Sequence, residues 1–183
     1  DIQGSTFSLT DDTTGIGSIT LTGGTITNGT IDRPGTTANY TIGTGFNTFD
    51  NVVVDMDISI GNSRTLRFDN DLTINGGRII PLAKTGAASN LSCGTGAVLL
   101  TGTGSIVFDD TTSANNFISG YNSGGTLTID SGINISGGGD ISGSSGSSNV
   151  IINNGTITAN GGSITLSAVT GSGNLLILNN GLM

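Results

Sequence analysis

The sequence predicts an all-β chain coiled as a right-handed parallel β-helix. It should make about seven coils of about 26 residues, in a single domain over residues 1–183. Three observations point there. A run of apolar, any, apolar residues followed by a small polar corner recurs along the chain. The recurrence keeps a rough period. No stretch sustains the 3.6-residue apolar period of a helix, and Gly and β-branched residues dominate throughout.

The run occurs as "ITLTGG" from Ile19, "YTIGTG" from Tyr40, "LRFDND" from Leu66, "VLLTGT" from Val98, "LTIDSG" from Leu127, "VIINNG" from Val150 and "LLILNN" from Leu175. Successive side chains of a strand point to opposite faces. The second apolar residue of each copy (Leu21, Ile42, Phe68, Leu100, Ile129, Ile152 and Ile177) is therefore expected to point inward, all in one axial stack. The residue before each, Thr20, Thr41, Arg67, Leu99, Thr128, Ile151 or Leu176, should point outward. Successive markers lie 21, 26, 32, 29, 23 and 25 residues apart.

The corners are Gly, Asn, Asp, Ser or Thr, which accept left-handed backbone or hydrogen-bond it locally. Two more short apolar runs follow within a copy, such as "TIT" from Thr156 and "SITL" from Ser163, giving three strands and three corners per coil. The long intervals Pro81–Cys93 and Thr111–Gly125 are expected to project as loops. Asn153 and Asn154 recur one coil later as Asn179 and Asn180, so their amides should stack as ladders. An antiparallel sandwich also suits short strands with Gly-rich turns; a corner returning at one phase of the repeat favours the solenoid.

Composition narrows the function. Gly supplies 32 residues and Pro 2, while Trp, His and Glu are absent; apolar residues make up 34 %, enough for a thin core. Thirteen acidic residues against five basic ones leave a formal charge of −8, which excludes a phosphate-binding surface for nucleic acid. Arg64, Arg67 and Arg78 come nearest to a cationic cluster and read as solvated surface. Cys93 is the single cysteine, so no internal disulfide framework exists, and it reads as a small residue in a tight place. No apolar run approaches a membrane span and no signal-peptide pattern is present.

The stretches "NNGTITANGGSITLSA" from Asn153 and "LTIDSGINISGGG" from Leu127 resemble the repeats of filamentous-haemagglutinin-like adhesins and autotransporter passenger domains. The resemblance runs from Ile19 to Leu182 and is clearest from Thr126 onward. It implies a secreted β-helix at a bacterial cell surface.

Candidate chemistry is sparse. Asp109–Asp110 in "VFDD" has the look of a polysaccharide-cleaving carboxylate pair, but the chain has no His and no Arg or Lys near them in sequence, so they read as the start of a loop. Ser residues and Cys93 likewise lack a His base, and no enzymatic activity is expected. "GGGDISG" from Gly137 resembles half of a calcium-binding β-roll nonapeptide, in one partial copy. Asp55/Asp57 and Asp69/Asp71 each offer two carboxylates where calcium needs six to eight oxygens. They read as solvated corners, and no catalytic, metal or cofactor residue is assigned.

The Thr pairs 20/22, 25/27, 126/128 and 156/158 do not share one phase, which argues against an ice-binding array. The sequons at Asn28, Asn39, Asn90, Asn134 and Asn154 arise readily in so Asn- and Thr-rich a chain.

The expectation is an extracellular structural or adhesive solenoid. It would be a shaft segment of a large secreted adhesin or a subunit that stacks head to tail, with itself and host or matrix glycans as partners. A polysaccharide-binding or calcium-binding module is the alternative. Neither end shows a cap: "NLLILNNGLM" from Asn174 starts a further coil, and "DIQGSTFSLT" reads as strand with Ile2, Phe7 and Leu9 able to pack, so axial docking is expected.

Overall fold

A computed structural model of the chain describes residues 6–8, 18–32, 39–83, 87–109, 116–120, 125–143, 148–167 and 174–183. Among these, every regular element is a strand. In chain order they are β1 (Thr6–Ser8), β2 (Ser18–Leu21), β3 (Gly24–Asp32), β4 (Asn39–Ile42), β5 (Asn47–Asp55), β6 (Ile58–Ile60) and β7 (Thr65–Ile74). Then follow β8 (Ile79–Ala83), β9 (Ser89–Cys93), β10 (Gly96–Gly102), β11 (Ser105–Asp109), β12 (Asn116–Gly120) and β13 (Gly125–Ile129). The last are β14 (Asn134–Ser142), β15 (Asn149–Asn153), β16 (Thr156–Ser167) and β17 (Leu175–Asn179).

Each strand pairs in parallel with the equivalent strand one coil on, which makes a three-faced β-solenoid. Face 1 stacks β2, β4, β6, β8, β11 and the first halves of β14 and β16. Face 2 stacks the first halves of β3, β5 and β7, then β9, β12 and the second halves of β14 and β16. Face 3 stacks β1, the second halves of β3, β5 and β7, then β10, β13, β15 and β17. The sandwich alternative is thereby removed, since every strand pair is parallel.

The core is a set of axial columns, one or two per face. Leu21, Ile42, Ile60, Leu82 and Phe108 succeed one another on face 1. Leu66, Leu91, Ile118, Ile141 and Leu166 do so on face 2. Val52, Leu72, Leu100 and Ile129 do so on face 3. These columns replace the single stack expected of the marker residues: Leu21 and Ile42 belong to face 1, Phe68 to face 2, and Leu100, Ile129 and Ile177 to face 3. The apolar-x-apolar signature marks any face, so it cannot say which.

The inward alternation holds in six of the seven copies. It reverses at Val150-Ile151-Ile152, where Ile151 is buried beside Leu127 and Ile177 while Ile152 points outward. Three apolar residues in a row carry no alternation, and the inward Asn153 sets the phase. The intervals expected to project as loops also contain strands. Pro81–Ala83 ends β8, Ser89–Cys93 is β9, and Asn116–Gly120 is β12. "SNLSC" hides its strand because its inward positions are Ser89, Leu91 and Cys93.

The coil count is corrected as well. The interior is sealed from Ile26 to Ile157, about five turns of solenoid rather than seven. At either end a coil has a neighbour on one side only among the described residues, and Ile19, Leu21, Leu175 and Ile177 are half-buried. Offsets between paired residues on face 3 run from 20 (Val53 to Thr73) to 29 (Leu100 to Ile129). The expected Asn ladders are present. Asn153 Nδ2 donates to Asn179 Oδ1 at 2.7 Å, and Asn180 Nδ2 to Asn154 Oδ1 at 3.0 Å.

Candidate functional site

The residues singled out in the sequence do not converge. Asp109 closes β11; its side chain and Asp110 lie outside the described residues, as do Ile2, Leu9 and the side chains of Phe7 and Asn39. Asp55 takes a hydrogen bond from Arg78 Nε at 3.3 Å, and Asp57 accepts the Ile79 N–H at 2.8 Å. Asp69 pairs with Arg67 Nε at 2.7 Å, while Asp71 is exposed. Gly137–Ser142 of β14 and the following Gly143 are buried except for half-buried Asp140. Among the described residues no three carboxylates or thiols gather as a metal cluster would require.

Cys93 is enclosed, and burial pushes its thiol up to about 12, so it stays protonated and unreactive. It borders a cavity of about 20 Å³ with Leu127 and Asn149, room for roughly one water. The Thr pairs spread over three faces, Thr20 on face 1, Thr25/Thr27 on face 2 and Thr126/Thr128 on face 3. Sequon residues serve structure: Asn28 accepts from the Asn51 amide at 3.2 Å, Asn90 from the Ser119 hydroxyl at 2.9 Å, and Asn154 from Asn180.

A sizeable concavity lies on the outer side of face 2 and was not legible in the sequence. It is a groove of about 570 Å³ that climbs over three coils, from Gly43–Thr48 past Ser63–Arg67 to Asn90 and Ser92. Thr48, Arg67 and Ser92 are register partners along its floor. At its edge stands Phe46, 85 % exposed.

The corner that presents Phe46 is fixed. Gly45 takes φ +89°, and a Cβ there would come within 3.2 Å of Gly23 backbone. The buried Asn47 amide binds both coils: its Oδ1 accepts the Gly23 N–H at 2.8 Å, and its Nδ2 donates to the carbonyls of Gly43 and Gly45 at 3.2 and 3.0 Å. The Phe46 carbonyl in turn accepts the Gly24 N–H at 2.8 Å. The only sequence signal was an aromatic placed inside the small-residue corner "GTGFN".

The groove's electrostatics depart from those of the chain. Arg64 and Arg67 both line it, in a molecule of charge −8. Arg67 is paired with Asp69. Arg64 has no carboxylate partner among the described residues and donates from Nη1 to the carbonyl of its neighbour Ser63 at 3.2 Å. Ser92 is 1 % exposed, and its Oγ has no hydrogen-bond partner.

The chain matches no family model, no curated protein and no solved structure. No helix among the described residues is long and apolar enough to cross a membrane, which says nothing of strands that cross as a barrel.

Proposed function

We propose that the protein is an extracellular, non-enzymatic rod element with an adhesive surface. It is either a shaft segment of a large surface adhesin or a subunit that stacks end to end. The observation that carries this reading is the axial ladder, which keeps its register through the last described strand and stays open there. β17 pairs with β15 along one edge, and its other edge has no strand partner among the described residues. Beyond it, Leu182 already takes up the next face 1 position: its N–H reaches Gly155 O and its carbonyl accepts the Ile157 N–H, both at 2.9 Å. An open edge of this kind recruits another strand. A following coil of the same chain and the first coil of a second copy would meet it in the same way, and a contact that does not close on itself builds a fibre.

Two further features support a surface role. Val150, Ile152, Leu176 and Leu178 form a two-by-two aliphatic patch on the outside of face 3, with Leu176 52 % and Leu178 44 % exposed. The described carboxylates are dispersed, and Asp50, Asp55, Asp57, Asp69 and Asp130 are each engaged by a different neighbour, which suits a solvated shaft better than a catalytic cleft.

The test is a concentration series of the 183-residue chain by light scattering and negative-stain microscopy, with hydrogen exchange on β17. Rods of constant width and growing length, with β17 amides becoming protected, are expected. Monomers at high concentration whose β17 amides are already protected would defeat the reading.

A further inference from the structure

We infer that the groove beside Phe46 binds an oligosaccharide carrying carboxylate groups, one sugar ring lying on the Phe46 face and an acid group on Arg64. The inference rests on the adhesive half of the proposed function and leaves the rod-forming half untouched.

Three independent features of the groove point to a ligand. The first is the phenyl ring. Ring faces carry a negative quadrupole that attracts polarised C–H groups, and an apolar face beside polar donors is how a pyranose is held. The coil uses the Phe46 carbonyl, which accepts the Gly24 N–H, and the ring is no part of the hydrophobic core. Instead it is held out, 85 % exposed, on a corner that Asn47 ties to the coil below and to its own loop. Little needs to be ordered when a ligand arrives.

The second feature is Arg64. In a chain with thirteen carboxylates it stands without one among the described residues, at the groove wall. Its planar fork matches a carboxylate in bidentate geometry. A neutral sugar would leave that fork unused. A polyphosphate or nucleic acid would need more cations than the groove holds, with Asp69 already on Arg67.

The third feature is Ser92. A buried hydroxyl without a partner is uncommon and needs an explanation. Ser92 lines the groove at the register position next to Arg67, on the coil beyond it. A ligand hydroxyl lying there completes it once the groove lining shifts to open its buried Oγ. Thr48 to Ser92 spans two coil spacings, about 10 Å along the axis, with Asn90 as an amide donor and acceptor at the far end. That length accommodates a pair of linked rings, with hydroxyls meeting side chains on successive coils.

The experiment uses the full 183-residue chain, isotope-labelled, titrated with tetrasaccharides of galacturonate, mannuronate and glucuronate and with a neutral glucose tetrasaccharide. Amide shifts should centre on Gly43–Thr48, Arg64–Arg67 and Asn90–Ser92 for at least one acidic ligand. Phe46→Ala and Arg64→Gln should each weaken that binding about tenfold or more, with unchanged thermal unfolding because Phe46 is exposed. Added salt should weaken the Arg64 contribution and spare the Phe46 one.

No shifts with any acidic ligand, shifts centred elsewhere, or full binding by Phe46→Ala would overturn the site. Equal binding of the neutral tetrasaccharide would overturn the carboxylate assignment. Rods formed by a chain that binds no sugar would sink this inference and leave the rod reading standing; sugar binding by a chain that never assembles would do the reverse.

Discussion

The coils up to β7 and the coils from β10 onward solve one problem in two ways. In the first region a single left-handed Asn turns the chain from face 2 to face 3: Asn28 at φ 51°, Asn51 at 54° and Asn70 at 57°. β3, β5 and β7 therefore run as bent, continuous strands around the corner. The coils are short, with offsets from 18 (Tyr40 to Ile58) to 24 (Thr6 to Thr30), and the interior holds large rings. Tyr40, Phe49 and Phe68 are buried, with the first two edge to face at 6.2 Å.

In the second region the same corner is longer, the strands of faces 2 and 3 separate, and offsets reach 29. There the interior admits polar and small residues. Asn116, Asn149 and Asn153 are buried, and Gly137 would place a Cβ 2.1 Å from the Phe108 carbonyl oxygen. The comparison teaches that corner chemistry and core filling travel together. A one-residue corner goes with close coils and an interior filled by rings and aliphatic side chains, Asn47 excepted, whereas looser corners leave space that amides and backbone fill.

Five substitutions would break or sharpen that contrast, in falling order of effect. Ile129→Asp places a charge in the closed face 3 column, and the cost should be about 4–5 kcal/mol, enough to abolish cooperative unfolding near room temperature. An unchanged melting curve would mean Ile129 does not face the interior. Phe68→Ala removes a ring from the aromatic column and should cost about 3–5 kcal/mol. Ile141→Ala in the looser region should cost about 2–3 kcal/mol; chemical denaturation of both decides whether the early coils are the better packed. Asn153→Ala strips a buried amide that bonds to Asn179 and to the Gly155 N–H, a loss of about 1–3 kcal/mol. Equal hydrogen exchange at β17 in parent and variant would show that the ladder adds nothing to the terminal coil. Asn51→Val forces a β-branched residue to φ 54° and should cost about 1–2 kcal/mol, with Asn51→Gly milder.

Acid adds a smaller, sixth effect. The Ser131 N–H, with the Thr101 hydroxyl, holds the Asp130 carboxyl below its ordinary value. A depressed folded pKa gives stability that is present above the unfolded value, about 3.9, and is lost as pH falls through the folded one. Thr101→Val should therefore lower stability slightly at neutral pH and converge with the parent in strong acid. Parallel curves down to pH 2 would show that the Thr101 bond does not act through the charge.

Strand identity was readable because alternation is a local property. Six of seven marked runs kept their inward faces, and the Asn153–Asn179 ladder followed from a simple 26-residue offset. The assignment of runs to faces was not readable, because all three faces use the same residues and coil length varies by several residues. β9 and β12 escaped notice because each has a single aliphatic inward residue, Leu91 or Ile118, preceded by an inward Ser89 or Asn116. The groove was invisible for a different reason. Phe46, Arg64 and Ser92 lie far apart in sequence and meet only after three coils have stacked.

The coil-on-coil register also defines a mechanical element. A coil of 24 to 29 residues, as in the later part of the chain, adds about 4.8 Å to the rod yet stores some 80 Å of contour. Each coil holds only its neighbours. Tension applied at an end therefore peels one coil at a time, and each release lengthens the tether more than tenfold over the rise it gives up. A surface fibre built this way would absorb a sudden pull by paying out chain from its tip while the remaining coils keep their grip.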